Sequence, residues 1–149
     1  MPLTRGWIEA HIPHRERMCL LDEVVHWDDN GIRCSSGTHR DPHHPLRLGT
    51  RLNAACGIEY AAQTMALHGA LCAQAAGGPG GSRAGFLASL RDVRLFVARL
   101  DDIAADLLCE ATRIAGDSGS ALYDFLVSAE QRPLLSGRAT VILNAQRAA

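Results

Sequence analysis

The sequence contains no lysine, and all fifteen of its basic residues are arginine. Chemistry that needs a lysine Schiff base is therefore excluded. Every cationic side chain instead carries a planar guanidinium, which binds phosphate and carboxylate groups through paired hydrogen bonds. The formal net charge is −1, so no overall charge attracts nucleic acid or an anionic membrane. An electrostatic partner must be recognised by a local patch.

Aromatic residues are also scarce, at 5% of the chain, and no run of about 20 apolar residues is present that could form a membrane-spanning helix. The first residues, MPLTRGWIEAHIPHRERM, lack the apolar core of a signal peptide. We therefore expect a cytoplasmic protein. No two cysteines have the close spacing of a zinc site, and we expect no metal and five buried, reduced thiols. These are Cys19, Cys34, Cys56, Cys72 and Cys109.

The composition is that of a soluble globular protein, with 47% hydrophobic and 21% charged residues. A length of 149 residues suits one domain, 1–149, with a core that needs no disulfides.

The order of predicted elements indicates an α+β fold. A glycine-rich stretch at 77–82 follows an alanine-rich segment, 52–76, which predicts a long helix. A short helix is expected near the N-terminus, and a hairpin turn at Asp28-Asp29-Asn30-Gly31. A second turn is expected at 116–119, and the last two strands are separated by 130–133. The strand patterns lie at 23–27, 32–38, 84–97, 107–115, 121–129 and 134–143. One helix wrapped by one antiparallel sheet accounts for this order.

Glu59 is the only charged residue between Leu52 and Ser82. At 100° per residue it shares a helix face with small residues, among them Ala55, Ala62 and Ala66. A carboxylate among apolar residues is costly without partners or a purpose, which makes Glu59 a candidate functional residue. The alternative is that it complements the dipole at the start of the helix.

His68 lies nine residues after Glu59, on the opposite side of the helix. The two side chains therefore cannot pair within one subunit. We expect His68 to be a hydrogen-bonded packing or interface histidine.

Two motifs resemble the 3-hydroxyacyl-ACP dehydratases, a family with the hot-dog fold. Ile12-Pro13-His14-Arg15, followed by Met18-Cys19-Leu20-Leu21-Asp22-Glu23-Val24, resembles the opening motif of that family. Gly57-Ile58-Glu59-Tyr60-Ala61-Ala62-Gln63 resembles the start of its central helix. The resemblance covers nearly the whole chain and looks closest to the branch encoded with aryl polyene and xanthomonadin-type pigment synthesis.

The resemblance implies dehydration of a 3-hydroxyacyl thioester, carried on the phosphopantetheine of an acyl carrier protein, to the trans-2-enoyl form. No other cofactor is implied. Glu59 would be the catalytic acid, and a histidine the base that takes the C2 proton. The free N–H groups at the helix start, including that of Gly57, would polarise the thioester carbonyl. His14 and Gln63 belong to the matching motifs and are expected at the substrate site.

The position of the base departs from the family pattern. The family histidine lies in a His-Phe-Pro segment fourteen residues before the acid, and a Pro-Gly pair follows it. Here that position is Pro45, and the histidines are His43 and His44, with Asn53-Ala54-Ala55 in place of the Pro-Gly pair. A loop adjustment of one residue would bring His44 into place, so His44 is the expected base. His43, or neither histidine, remains the alternative.

Arginines flank this loop, and the resemblance gives them a role at the mouth of the acyl tunnel. Arg40, Arg47 and Arg51 would meet the phosphate of the carrier arm and the acidic carrier. A solvated basic loop is the alternative.

Two other functions remain open. One is an acyl thioesterase, in which a carboxylate on the same helix activates water. The other is a non-catalytic hot-dog subunit of a heteromeric dehydratase, or an acyl-carrier-binding partner.

A single curled sheet leaves an edge strand exposed, and the apolar helix needs cover. We therefore expect an obligate dimer, with itself or with a second hot-dog subunit, burying more than roughly 2,000 Å². The acid and the base would then come from opposite subunits, as the resemblance implies.

Overall fold

One antiparallel sheet and one long helix form the part of the chain that the computed structural model describes, which is residues 3–12, 18–77, 85–117 and 119–143. The sheet order is β1-β2-β3-β5-β6-β7-β4, and every neighbouring pair is antiparallel. The strands are β1 (Leu3–Thr4), β2 (Glu23–Asp28), β3 (Gly31–Ser36), β4 (Gly85–Leu95), β5 (Leu107–Gly116), β6 (Ser120–Ala129) and β7 (Arg132–Leu143). The helices are α1 (Arg5–His11) and α2 (Gly57–Ala75), with 3₁₀ turns at Thr38–Arg40 and Ala54–Cys56. This confirms the predicted α+β, hot-dog arrangement.

Aspartate side chains close two of the tight turns. The Asp28 carboxylate accepts hydrogen bonds from the N–H groups of Asn30 and Gly31, which joins β2 to β3. The Asp117 carboxylate accepts from Gly119 and Ser120 and joins β5 to β6 in the same way. Both turns were predicted, because a carboxylate that bonds to the backbone just after it is a local signal.

The turn between β6 and β7 is shorter than the sequence suggested. Glu130 and Gln131 alone form it, with φ of 51° and 68°. Neither is a glycine or an asparagine, so the composition does not reveal a two-residue turn with positive φ. Strand β7 therefore begins at Arg132 and includes Pro133, which lies beside a register shift between Val127 and Ser128 of β6.

The α-helix begins at Gly57, five residues after the start of the predicted segment. Leu52 and Ala54 instead bond to the connection between β4 and β5. The N–H of Leu100 donates to Leu52 (2.8 Å), and the N–H of Ala54 donates to Ala98 (3.1 Å). These bonds hold the chain extended before the helix and fix where α2 starts.

Helix α2 is not buried all round by its own subunit. Ala61, Met65 and Leu67 are almost fully buried against the sheet. Residues on the side of the small-residue stripe are half-buried, among them Ala62 and Ala66. One stripe of α2 therefore stays accessible in the described part of the subunit, which agrees with the expectation that the apolar helix needs further cover.

Strand β4 forms an edge of the sheet. Among the described residues it pairs with β7 and with no other strand. Leu87, Leu90 and Val93 are 36–38% exposed, and Leu95 is 49% exposed. The expected exposed edge is therefore present, and it is apolar. Separately, none of the helices described is long and apolar enough to cross a membrane.

Candidate functional site

Glu59 lies in the first turn of α2 and is half-buried. It lies at the border between the side of the helix that packs on the sheet and the accessible stripe that contains Ala62 and Ala66. The extended segment before the helix holds this turn in place. Asp101 adds a further bond there, because its carboxylate accepts from the N–H of Leu52 (2.9 Å) and pairs with Arg99. The Arg99 guanidinium holds the pKa of Asp101 below its ordinary range.

Gly57 packs against the side chain of Leu135 in β7. A Cβ at this position would lie 2.4 Å from Cδ2 of Leu135, so only glycine fits unless the leucine side chain moves. Its N–H points back to the carbonyls of Ala54 and Ala55 in the preceding 3₁₀ turn. The N–H is therefore engaged within the turn, and its role in polarising a thioester stays a prediction.

His44 is buried, with 4% of its surface exposed, and both ring nitrogens are engaged. Nδ1 accepts a hydrogen bond from the N–H of Leu46 (3.0 Å), so the proton lies on Nε2. Nε2 then donates to the hydroxyl of Tyr60 (2.9 Å). Burial is the main cause that lowers the pKa of His44. In this orientation the ring offers no lone pair to a substrate.

The hydrogen bonds continue beyond Tyr60 into the core. The Tyr60 hydroxyl lies 2.8 Å from Oγ1 of Thr38, which donates to the carbonyl of Leu20 (2.7 Å). The hydroxyl of Ser36 also donates to that carbonyl (2.5 Å). The network ties the loop after β3 to α2 and to the segment before β2, which is a structural role for His44.

His43 is separated from this network. Its side chain is 73% exposed and lies 3.9 Å from the carboxylate of Asp41. The fold therefore does not bring His43 into the interior near Glu59, and its role as a base stays a prediction.

His39 is a candidate that the sequence analysis missed. It follows β3 directly, in the 3₁₀ turn Thr38–Arg40, and is fully buried. Its Nε2 donates to the carbonyl of Ile103 (2.9 Å), which places the proton on that nitrogen. Nδ1 is then an acceptor, and it is buried without a hydrogen-bond partner in the described part of the chain. Burial lowers the pKa of His39, and the Arg40 guanidinium lowers it further.

The signal that could have revealed His39 was its position after the predicted strand 32–38. The family spacing from Glu59 points instead to His43 and His44, which lie closer to it in the sequence. A ring whose tautomer is fixed by a carbonyl, and whose other nitrogen keeps a lone pair without a hydrogen-bond partner, has an acceptor of the kind that a general base needs.

His68 is the third buried histidine, and its predicted packing role is confirmed. Nε2 donates to the carbonyl of Asp28 (2.8 Å), and Nδ1 accepts from the hydroxyl of Tyr123 (2.7 Å). The ring thereby joins the middle of α2 to the β2–β3 turn and to β6. Burial lowers the pKa of His68.

Gln63 is fully buried. Its side-chain amide forms the backbone hydrogen bonds of the segment before β2 that a neighbouring strand would otherwise form. Nε2 donates to the carbonyl of Met18 (2.7 Å), while Oε1 accepts from the N–H of Leu20 (2.9 Å). Both ends of the amide are therefore engaged with backbone. A contact between Gln63 and substrate stays a prediction, and His14 lies outside the described residues.

The three loop arginines do not form one free patch. Arg40 pairs with Asp106, at 2.6 Å between Nη2 and Oδ1. Arg47 donates to the carbonyls of Thr50 and His39, and its Nε is buried without a partner among the described residues. The carboxamide oxygen of Asn53 and the carbonyl of Ala98 accept from the guanidinium of Arg51, which is exposed.

In the described ranges, no group of three or more histidine, cysteine or acidic residues could hold a metal ion. The thiols are protonated in character, because burial raises the pKa of every cysteine; that of Cys34 rises to about 12.

Solved structures with similar folds include a dehydratase and thioesterases. The dehydratase heterocomplex ApeI:P from Xenorhabdus doucetiae matches with a TM-score of 0.82 and 20% sequence identity, covering 93% of this chain and 91% of that one. A mutant thioesterase from Pseudomonas aeruginosa matches with a TM-score of 0.58 and 12% identity, over 83% and 81% of the two chains. A thioesterase from Haemophilus influenzae matches with a TM-score of 0.58 and 13% identity, over 81% and 76%. At these identities the matches establish the hot-dog fold alone.

The sequence itself identifies the family. No curated protein sequence matches the chain, but a family model for the ApeP dehydratase matches residues 7–149. This range takes in both motifs on which the resemblance was based, most of α1 and every element after it. The chain therefore belongs to the ApeP-like family of dehydratases.

Proposed function

We propose that the protein dehydrates a 3-hydroxyacyl thioester, bound to acyl carrier protein, to the trans-2-enoyl thioester during aryl polyene synthesis. A base removes the C2 proton, and the electrons of that bond form the new double bond as the C3–oxygen bond breaks. The departing hydroxyl takes a proton from an acid and leaves as water. The family match supports the dehydratase class. The buried Nδ1 of His39, which has no hydrogen-bond partner among the described residues, supports the assignment of the base.

In this proposal the base is His39 rather than His44. Three histidines are buried among the described residues, and two of them, His44 and His68, use both ring nitrogens in hydrogen bonds. For His39, Nε2 alone has a partner in that part of the chain. The carbonyl of Ile103 fixes its tautomer and supports the charge that forms when Nδ1 takes a proton. Burial lowers the pKa of His39, so the ring is neutral and ready to accept a proton at neutral pH.

Glu59 is the proposed acid. It enters from the first turn of α2, where the neighbouring positions are apolar and the backbone on either side of the helix start is held by hydrogen bonds. We further propose that the acid of one subunit works with the base of another.

We propose that a second hot-dog subunit supplies this partner by adding to the free edge of β4. The apolar residues of that strand, among them Leu90 and Leu95, are exposed in the single subunit. Glu59 lies at the edge of the accessible stripe of α2, next to Ala62 and Ala66. A subunit that covers this stripe would therefore lie close to Glu59. The related ApeI:P dehydratase is a heterocomplex, which supports a partner of a different sequence. An interface of more than roughly 2,000 Å² is expected.

The decisive experiment compares isosteric or near-isosteric variants with matched controls. Glu59→Gln and His39→Gln should each lower dehydration of a 3-hydroxyacyl-carrier substrate by about a hundredfold or more. His43→Gln is the exposed control and should leave the rate unchanged. His44→Gln should lower stability, with less than about a tenfold loss of rate in the folded protein. Full activity of Glu59→Gln would refute the acid, and full activity of His39→Gln would refute the base.

A non-catalytic role in a heteromeric dehydratase is the second candidate, because the related structure is a heterocomplex. The same variants separate the two. If the protein is needed for activity of the complex but neither Glu59→Gln nor His39→Gln changes the rate, the catalytic groups belong to the partner. The assay is therefore run on the protein alone and with a partner subunit.

A further inference from the structure

A tight turn at residues 48–51 presents one apolar side chain to solvent. The N–H of Leu48 donates to the carbonyl of Arg51 (2.9 Å), and the N–H of Arg51 donates back to Leu48 (3.0 Å). Gly49 has a φ of 64°, which this turn requires and which a side chain would disfavour. A third bond, from Arg47 to the carbonyl of Thr50 (2.8 Å), braces the tip. The turn is therefore held by several bonds rather than left loose.

Leu48 is 73% exposed, more than any other large hydrophobic side chain in the described part of the chain. A single exposed leucine has no special meaning by itself. Hydrogen bonds hold the backbone of the 48–51 turn, unlike that of a loose loop. Because the backbone is already ordered, little conformational entropy is lost when a partner covers the Leu48 side chain.

The charges beside Leu48 give the second observation. Arg40 and Arg99 are neutralised by Asp106 and Asp101, at 2.6 Å in each case. No salt bridge joins Arg47 or Arg51 to a carboxylate among the described residues; both guanidiniums bond to neutral oxygens. The turn therefore offers an apolar tip flanked by positive charge that no carboxylate in the described part of the chain neutralises.

The turn is also connected to the proposed base. Arg47 bridges the two, because its Nη1 bonds to Thr50 in the turn while its Nη2 bonds to the carbonyl of His39 (3.2 Å). On the other side, the chain runs from Arg51 through the pinned segment 52–54 into α2 and Glu59. The turn is therefore joined directly to the segments that carry both proposed catalytic residues.

We propose that the 48–51 turn is the docking point of the acyl carrier protein, with Leu48 as the apolar contact and Arg51 as the main charge facing its carboxylates. This inference rests on the proposed function and names where the carrier binds. The carrier is favoured over other partners because it is acidic and must deliver its acyl chain beside His39 and Glu59. A subunit contact at the same turn is the competing explanation, and the mass of the complex tests it.

The test uses two substrates that differ only in the carrier. One is a 3-hydroxyhexanoyl chain on holo acyl carrier protein, and the other is the same chain on N-acetylcysteamine. With Leu48→Ser, kcat/KM for the carrier substrate should fall by about tenfold, because the apolar contact is lost, while the short thioester is turned over as before. Ile114→Ser removes another exposed apolar residue, 45% exposed on β5, and is the matched control.

Arg51→Gln tests the charge. It should raise the carrier KM and flatten its dependence on salt, whereas Arg33→Gln, on β3, should do neither. An equal loss of rate on both substrates, or no loss on the carrier substrate, would overturn the docking proposal. So would a change of assembly mass with Leu48→Ser, measured by light scattering, since that would place the leucine between subunits.

The docking proposal and the proposed function can fail separately. If the wild-type protein dehydrates neither substrate, the function fails, and direct titration with the hydroxyhexanoyl carrier still tests the docking site. Binding that Leu48→Ser weakens by about tenfold and Ile114→Ser leaves intact would support docking in a non-catalytic subunit. Equal binding by both variants would refute it.

Discussion

Replacing Tyr60 with phenylalanine would remove one oxygen atom from the core and leave the ring in place. That oxygen accepts from Nε2 of His44 (2.9 Å) and lies 2.8 Å from Oγ1 of Thr38. The ring of Tyr60 is fully buried, so water cannot take the place of the lost hydroxyl. Burial also raises the pKa of the Tyr60 phenol, which keeps its proton in place at neutral pH.

The expected loss in the free energy of unfolding depends on which hydrogen-bond partner of the Tyr60 hydroxyl is left unsatisfied. Thr38 keeps its bond to the carbonyl of Leu20 and loses little. The buried N–H of His44 loses its only acceptor, at a cost of about 1–3 kcal/mol, and the bonds themselves contribute about 1 kcal/mol each. We therefore expect Tyr60→Phe to lower the free energy of unfolding by about 2–3 kcal/mol, or to lower Tm by roughly 5–10 °C.

Urea unfolding followed by far-UV circular dichroism measures this loss as a lower midpoint with an unchanged m value. Thr38→Val, alone and combined with Tyr60→Phe, completes a double-mutant cycle in which the two changes should couple by about 1 kcal/mol. Strict additivity, or a loss below about 0.5 kcal/mol for Tyr60→Phe, would show that the network from Leu20 to His44 is absent in solution.

Acid should destabilise the fold in the range where histidine titrates. Burial lowers the pKa of His39, His44 and His68 in the folded chain. Below about pH 6.5 the unfolded chain therefore binds more protons than the folded chain does. The free energy of unfolding should therefore fall as the pH drops below about 6.5, by up to about 1.4 kcal/mol per pH unit for each histidine. Urea midpoints that stay constant between about pH 7.5 and 5.5 would contradict this. Gly57→Ala should cost about 1–3 kcal/mol, since the new Cβ would lie 2.4 Å from a buried leucine of β7. Gly6→Ala, in open space on α1, should instead stabilise by up to about 1 kcal/mol, and thermal melts of the two variants should move in opposite directions.

The parts of the fold that the sequence predicted well are those with local signals. The turns at 28–31 and 116–119 were predicted from their short runs of Asp, Asn, Ser and Gly. In the structure each aspartate bonds to backbone two and three residues later, which is why such runs are local signals. Helix propensity alone put the start of α2 at Leu52, whereas the resemblance put it at Gly57, where the helix begins. The difference comes from the bond between Leu52 and Leu100, which are distant in the sequence. No local preference for helix can reveal such a pairing.

The candidate site shows the same division. Glu59 was predicted as the acid because it is an isolated charge in an apolar segment, and this role stays a prediction. His44 was predicted as the base from its spacing to Glu59, with a loop adjustment of one residue, and that role also stays a prediction. The role of a histidine depends on what its two nitrogens contact, and these contacts come from Leu46 and Tyr60 for His44 and from Ile103 for His39.

The place of β4 in the sheet has a consequence for synthesis on the ribosome. β4 is made directly after α2, but its one partner among the described residues is β7, which begins at Arg132. At about 5–20 residues per second, the nascent strand waits several seconds before that partner emerges. During this time an apolar strand has both edges unpaired, a state that favours wrong pairing with another chain. Chains truncated before Arg132 should therefore aggregate more readily than chains that end at Leu143, and early supply of a partner subunit would shorten the exposure.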